Sequence, residues 1–236
     1  LKKRAQGDGP EQGVGVGIAC AIVGVIIGVL TLTGAASNFA GFILEVGEKS
    51  LFLSLLLTMV VCLVLGMGIP TIPNYIITSS IAAPSLLKLS VPLIVSHMFV
   101  FYFGIMADLT PPVALAAFAA ASIAKAPAMK IGFKATQIAI AGFVIPFMAV
   151  YDPALMVQGD PSVWGVAYIV TKALLAIFLW GAAAIGYLWS PLNVIERLYA
   201  VFSAALLVAA FPLTDQIGFV LGALFIGWNW YKSHKK

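Results

Sequence analysis

Charge is what this sequence has least of. Of its 236 residues, 13 are Lys or Arg, 9 are Asp or Glu and 2 are His, whereas 62% are hydrophobic. A soluble domain carries roughly 25% charged and about 45–50% apolar residues, so a water-soluble fold could not cover this much apolar surface. Cysteine is almost missing too. Cys20 and Cys62 both sit inside apolar runs, where they read as small hydrophobes and supply neither a disulfide framework nor a metal set. There is no P-loop, no pair of catalytic carboxylates and no HExxH, which leaves a hydrolase reading little support. An intramembrane aspartyl protease lacks its second acid, because Asp108 is the only carboxylate in an expected span. The expectation is that the chain is not an enzyme and has no cofactor.

Other absences narrow the reading further. The run Gly13 to Gly17 is not a dinucleotide fingerprint, since position 18 is Ile and no strand precedes it; Gly24 and Gly28 read as close helix packing. The net charge of +4 does not mark a nucleic-acid binder, because the basic residues neither gather on one amphipathic face nor interleave with aromatics. The chain opens on Leu1, with no initiator Met and no charged, apolar and cleavage regions of a signal peptide, and the natural protein is expected to continue upstream.

What is present is a series of apolar runs near the roughly 18 to 20 residues that cross a bilayer as helix. After a polar leader ending near Gln12, spans are expected at residues 14–33, 50–65, 76–87, 92–125, 135–150 and 164–189, with two shorter pieces at 198–211 and 217–230. Residues 35–49 are too polar to span and read as an interfacial helix or loop. The fold class is therefore an all-α polytopic membrane protein whose main solvent is lipid. Four parts follow: 1–49, leader, first helix and interfacial segment; 50–134, a hairpin and a broken helix; 135–159, a helix and outer loop; and 160–236, a transmembrane extension.

Lys and Arg in short loops are biased to the cytoplasm. With the leader inside, Lys2, Lys3, Arg4, the 125–134 loop (Lys125, Lys130, Lys134), Arg197, Lys232, Lys235 and Lys236 all fall inside, ten of the thirteen. Both ends of the chain are then cytoplasmic. Lys49 and Lys88 fall outside, as do loops holding Asp152, Asp160 and Asp215, while Lys172 lies in a span and is expected to snorkel towards the outer surface. Segments 50–65 and 76–87 are either two crossings or one re-entrant hairpin, and both choices leave the later loops unchanged. The short second arm and the uncharged turn favour the hairpin.

Two interruptions carry the chemistry. GMGIPTIPNY, 66–75, holds Gly66, Gly68, Pro70 and Pro73, which open a helix by removing amide donors and adding backbone freedom. Opened backbone at membrane depth is tolerated only against protein or a watery cavity. Thr71, Asn74 and Tyr75 put hydroxyl and amide groups beside it, a combination suited to a hard cation or a polar solute. The second interruption, 107–112, is Ala-Asp-Leu-Thr-Pro-Pro. Two broken elements in one bundle are the mark of a transporter, although prolines also merely kink spans. Asp108 is either a functional carboxylate or a cap on the second half-helix. His97 is either a proton relay or a hydrogen-bonded packing residue, the second being the commoner.

The runs LGMGIPTIPNYII (65–77), HMFVFYFGIMADLTPPVALAAFAAASIA (97–124) and AGFVIPFMAVYDPALM (141–156), in that order, resemble the second half of the large membrane subunit of TRAP transporters, the tripartite ATP-independent periplasmic carriers. The likeness is nearest to the fused permeases that work with TAXI-type solute receptors. It covers residues 15–156, and residues 160–236 resemble the more variable tail of those permeases. The resemblance implies an elevator mechanism in which two inverted repeats each supply one re-entrant hairpin and one broken helix. Only one of each is evident here, so the partner half, the N-terminal half of the permease, would lie in sequence outside this chain.

The resemblance further implies that carbonyls around Gly66, Met67 and Gly68 and near Thr110 and Pro112 hold one sodium ion, the coupling ion. Thr71, Asn74 and Thr110 would lie near the substrate. Implied partners are a periplasmic TAXI-type substrate-binding protein, a small membrane subunit or its fused equivalent, and the lipid bilayer, with no nucleic acid. The implied location is a bacterial or archaeal inner membrane. Asp108 is not part of the family's general pattern. The function expected is that of a permease subunit importing an organic acid by sodium symport; the alternative is a nontransporting assembly or scaffold subunit whose helix breaks are structural. No Arg lies near either break to name the substrate.

Overall fold

The computed structural model describes residues 18, 21–22, 24–30, 32–209 and 212–235. The polar leader with Lys2, Lys3 and Arg4, and also Cys20 and Lys236, lie outside the described residues. Regular structure among the described residues is helical, apart from one isolated bridge between Tyr187 and Pro191. The chain forms two compact units, the first ending at Met129 and the second beginning at Lys130.

The first unit holds helical residues 24–30 (α1), then α2 (Ala35–Lys49), α3 (Leu51–Gly66), α4 (Thr71–Lys88), α5 (Leu93–Met106) and α6 (Leu115–Ala124). Residues 35–49, expected as an interfacial helix or loop, are helix. The Ser50 hydroxyl caps α3 by accepting from the Leu53 N–H at 3.5 Å. Along α3 the buried positions include Ser54, Thr58, Cys62 and Gly66, a stripe of small residues spaced by four that lets neighbouring backbones come close. The Ser54 hydroxyl donates across it to the Ile43 carbonyl of α2 at 2.8 Å. Phe99 and Phe103 of α5 are buried and meet edge to face, while Ile77 and Ile81 of α4 pack with Ile27, Leu30, Leu65 and Ile69.

Three sequence expectations change here. The first interruption occupies only 67–70, because Thr71 to Tyr75 already form the first turn of α4. Prolines at a helix start remove only amides that have no helical partner, so Pro70 as N-cap and Pro73 in the first turn open nothing further. The second hairpin arm is therefore 18 residues rather than about a dozen, about 27 Å of helix at 1.5 Å per residue. Its shortness no longer argues for re-entry. Third, the basic loop 125–134 is helix from Ala128 onward, so Lys130 and Lys134 project from a helix rather than from a loop.

In the second unit, α7 (Ala128–Ala139), which starts at the boundary, a 3-10 turn (Ile140–Phe143) and α8 (Val144–Tyr151) run on as one 24-residue apolar element. A second 3-10 turn (Pro153–Met156) leads to α9 (Val163–Ile185), α10 (Val194–Val208) and α11 (Pro212–His234). The run Ala128–Tyr151 and α9 are long and apolar enough to cross a membrane. Met148, Ile169, Ala176, Leu179, Ala204 and Leu207 form the buried core, while Leu174, Phe178, Leu198, Phe202 and Val220 stay exposed. Helices apolar both inside and out belong in lipid.

Lys172 does not snorkel. It is 1% exposed, and its ammonium lies 2.7 Å from Asp215, which is itself buried in the first turn of α11 rather than in an outer loop. A buried counter-ion removes the reason to reach for water. Asp108, in the break after α5, is accordingly not the only carboxylate within the apolar stretches.

At the other end of this unit, Asn193 and Glu196 form a capping box that starts α10. The Glu196 carboxylate also accepts from Lys232 at 2.9 and 3.0 Å and from the Trp228 indole at 3.3 Å. Burial pushes the Glu196 carboxyl up, but the Lys232, Asn193 and Trp228 donors more than offset this and hold it below its usual range. A depressed folded value means that the contribution is complete above the ordinary carboxylate range and is lost as pH falls through the folded one. Thermal unfolding of the detergent-solubilised protein should accordingly show Glu196→Gln lowering the melting temperature at pH 7, with the gap to wild type closing below the carboxylate range.

Candidate functional site

Three helix ends converge in the first unit, and Asn74 is the side chain that joins them. From the first turn of α4, its Nδ2 donates to the Gly104 carbonyl of α5 at 2.7 Å, and the residue is 1% exposed. The approach requires glycine on both sides. A Cβ on Gly66, the last residue of α3, would lie 2.8 Å from Asn74 Nδ2, 2.8 Å from the Gly104 carbonyl and 2.9 Å from the Ala107 Cβ. A Cβ on Gly104 would lie 3.0 Å from Asn74 Oδ1. That Oδ1 is buried and has no hydrogen-bond partner among the described residues.

The second interruption borders the same junction. α5 stops at Met106, and its last turns are finished by the Asp108 N–H to the Ile105 carbonyl at 3.0 Å and the Thr110 N–H to the Ala107 carbonyl at 3.2 Å. Pro111 and Pro112 then supply no amides, and the chain resumes as α6 at Leu115. Between the two breaks, the nearest atom to a Cβ built on Gly68 is Val113 Cγ1 at 3.5 Å. The glycine tip and the 107–114 segment are therefore neighbours.

Gly66, Met67 and Gly68 make the tip, with Gly68 at φ +76, where a side chain would be strained. Thr71 is exposed at the head of α4, and Asn74 is buried one turn on. Thr110 is half-buried, and its hydroxyl donates to the Met106 carbonyl at 2.8 Å, which leaves the oxygen lone pairs as acceptors. Pro112 is exposed.

Asp108 is half-buried, with one carboxylate oxygen buried and unpartnered among the described residues. It does not cap the second half-helix through its carboxylate. Ala114 is the N-cap of α6, and the Asp108 backbone carbonyl, not its side chain, accepts the Ala116 N–H at 3.1 Å. The His97 Nδ1 lies 2.9 Å from the Tyr75 hydroxyl, the kind of hydrogen bond a packing histidine makes.

The arrangement is rich in acceptors and poor in cations. No Lys or Arg occurs in 50–87 or 89–124, and no cluster of three His, Cys, Asp or Glu side chains occurs among the described residues. Carbonyls with Asn74 and Asp108 oxygens suit a hard cation or a donor-bearing solute. Sequence reasoning missed Gly104, whose carbonyl and missing side chain make the junction possible. Its signal was a glycine four residues before Asp108 at the end of an aromatic run.

A family model described as "Tripartite ATP-independent periplasmic transporter, DctM component" matches residues 9–159. The chain belongs to this family. No curated protein and no solved structure matches it. Membership makes the chain a TRAP permease component, a transporter part, and the family works with a periplasmic binding protein and a small membrane subunit. The matched segment contains both interruptions, while α9, α10 and α11 lie beyond it.

Because the blocking atoms at Gly66 include a backbone carbonyl, Gly66→Ala should destabilise this TRAP component by about 1–3 kcal/mol. Gly41→Ala, in mid-helix with nothing within 4 Å of its Cβ, serves as the control and should if anything stabilise, by about 0.5–1 kcal/mol of helix propensity. Melting of both variants in detergent checks this; equal melting points would mean that the junction is not close-packed.

Proposed function

We propose that this chain is the C-terminal half of a sodium-coupled permease that imports an organic acid delivered by a periplasmic TAXI-type binding protein, working by an elevator mechanism with the small membrane subunit separate or fused. The observation that carries this reading is the junction at Asn74, where two broken elements meet and leave buried acceptor oxygens without donors. An unpaired buried acceptor costs about 1–3 kcal/mol, which a bound cation or donor removes. In this reading α3 and α4 are the arms of a re-entrant hairpin. Carbonyls of Gly66, Met67, Gly68, Thr110 and Pro112 hold one sodium ion, and Thr71, Asn74 and Thr110 face the substrate. Asp108 completes the acceptor set as a functional carboxylate. A second repeat, contributed by the remainder of the permease, closes the site, and the location is a bacterial or archaeal inner membrane with both ends of this chain cytoplasmic.

The test uses the full permease with its binding protein. Asn74→Ala and Thr110→Ala should each cut sodium-dependent uptake by about tenfold or more at unchanged expression. Full uptake by both variants would instead favour a nontransporting scaffold. Topology is tested separately, after Cys20 and Cys62 are replaced. Cysteines at Ser50 and Ser90 should react with an impermeant thiol reagent from outside, while one at Ile72 should react poorly from both sides or respond to sodium. Strong, sodium-insensitive labelling of position 72 from the cytoplasm alone would make α3 and α4 two full crossings.

A further inference from the structure

The buried charges of the second unit lie outside the family-matched segment and take no part in the proposed site. Lys172, the tenth residue of the 23-residue α9, is paired with Asp215 of α11 at 2.7 Å, with side chains 2% and 8% exposed. The Tyr168 hydroxyl, one turn earlier on α9, donates to the other Asp215 oxygen at 3.0 Å. Charges at membrane depth are costly unless answered by a partner.

Asp215 is also one end of a pattern. On α11, Asp215, Gly218, Gly222, Phe225 and Asn229 recur at spacings of three and four, and all five are buried. This is the seam of a helix packed along its neighbours. Its centre is small: a Cβ on Gly218 would lie 2.8 Å from Leu207 of α10, and one on Gly222 would lie 3.1 Å from Leu179 and 3.4 Å from Leu175 of α9. Its far end is polar again. Asn229 Oδ1 accepts from the Trp189 and Ser190 N–H groups at 3.0 and 3.3 Å, and its Nδ2 donates to the Ser190 hydroxyl at 3.0 Å.

We propose that Asp215 and Asn229 are two ends of a docking code by which α11 recognises α9 and the turn after it, with the Lys172–Asp215 pair selecting the partner helix and Asn229 fixing the register. Lipid is as apolar as Leu or Val, so hydrophobic contact does not tell a docked α11 from an undocked one. A slip of one turn would part Asp215 from Lys172 and Asn229 from the Trp189 and Ser190 amides. The small centre lets the helices close only when both ends are paired. The pair serves assembly and not transport, and this inference does not rest on the transport reading.

The test uses the full chain in membranes, with Cys20 and Cys62 replaced and cysteines placed at Leu175 and Gly222 to report the docked register by disulfide formation. Leu175→Cys removes the methyls 3.4 and 3.8 Å from the position 222 Cβ, and the Leu179 methyl at 3.1 Å is the free end of a flexible side chain, so the reporter fits the closed centre. Lys172→Met or Asp215→Asn alone should lower cross-linking about tenfold, because each leaves one buried charge unanswered. The exchange Lys172→Asp with Asp215→Lys should restore more cross-linking than either single change, whereas the neutral pair Lys172→Met with Asp215→Leu, which has no charges to select by, should stay below wild type. Single variants that cross-link like wild type would overturn the proposal, as would failure of the exchange to exceed the singles or a neutral pair that cross-links like wild type.

Discussion

The hydrogen bond from Asn74 to the Gly104 carbonyl is the contact on which the first unit's arrangement turns. It ties the start of α4 to the end of α5 directly against the end of α3, and it can form only because Gly66 and Gly104 leave no Cβ in the way. The same bond uses only half of the Asn74 amide. Its Nδ2 is satisfied and its Oδ1 is left buried without a donor, so the junction keeps a standing electrostatic demand at the place where two helices are interrupted. A purely structural asparagine would be expected to satisfy both ends of its amide, as Asn229 does in the second unit, where Oδ1 and Nδ2 are both paired. The difference between these two buried asparagines is the physical ground for reading one as a site and the other as a fastening.

Both units solve one problem with the same means. In lipid, apolar contact gives little preference for one neighbour over another, so small residues set how close helices come and polar side chains set which ones meet. In the first unit the small stripe runs along α3 through Ser54, Thr58, Cys62 and Gly66, with the Ser54 hydroxyl reaching the α2 backbone. In the second it runs along α11 through Gly218 and Gly222, closed by Asp215 and Asn229. Large apolar side chains fill what remains and face outward elsewhere.

Legibility in the sequence followed how local each cause was. The break at 107–112 could be read because two consecutive prolines remove two amides wherever they fall, and α5 and α6 do stop and resume around it. The break at 66–75 is narrower than its prolines suggest, since Pro70 and Pro73 sit where a helix start needs no amide and α4 begins at Thr71. Lysines at 130 and 134 suggested a loop by charge alone, although Ala128–Ala139 is continuous helix with those cations on an open side. Family membership was legible in the order of three motifs. Gly104 was not, because its importance is the space it leaves for a side chain thirty residues away.

The same distinction between local and distant causes separates the charges. Local sequence points Lys172 to the surface only because its counter-ion is 43 residues further along the chain, in the first turn of α11 (172 to 215). A lone cation in an apolar helix implies a carboxylate on a facing one, and Asp215 carried the means of approach in the glycines three and seven residues after it. Asp108 differs in kind. No Lys or Arg occurs between 89 and 124, and one of its oxygens is buried with no donor among the described residues. A charge answered by a side chain of its own bundle has done its work once the helices are assembled. One that is left unanswered inside the family-matched segment needs water, a proton or a bound solute, and that need is the ground for proposing transport at the Asn74 junction rather than at the Lys172–Asp215 pair.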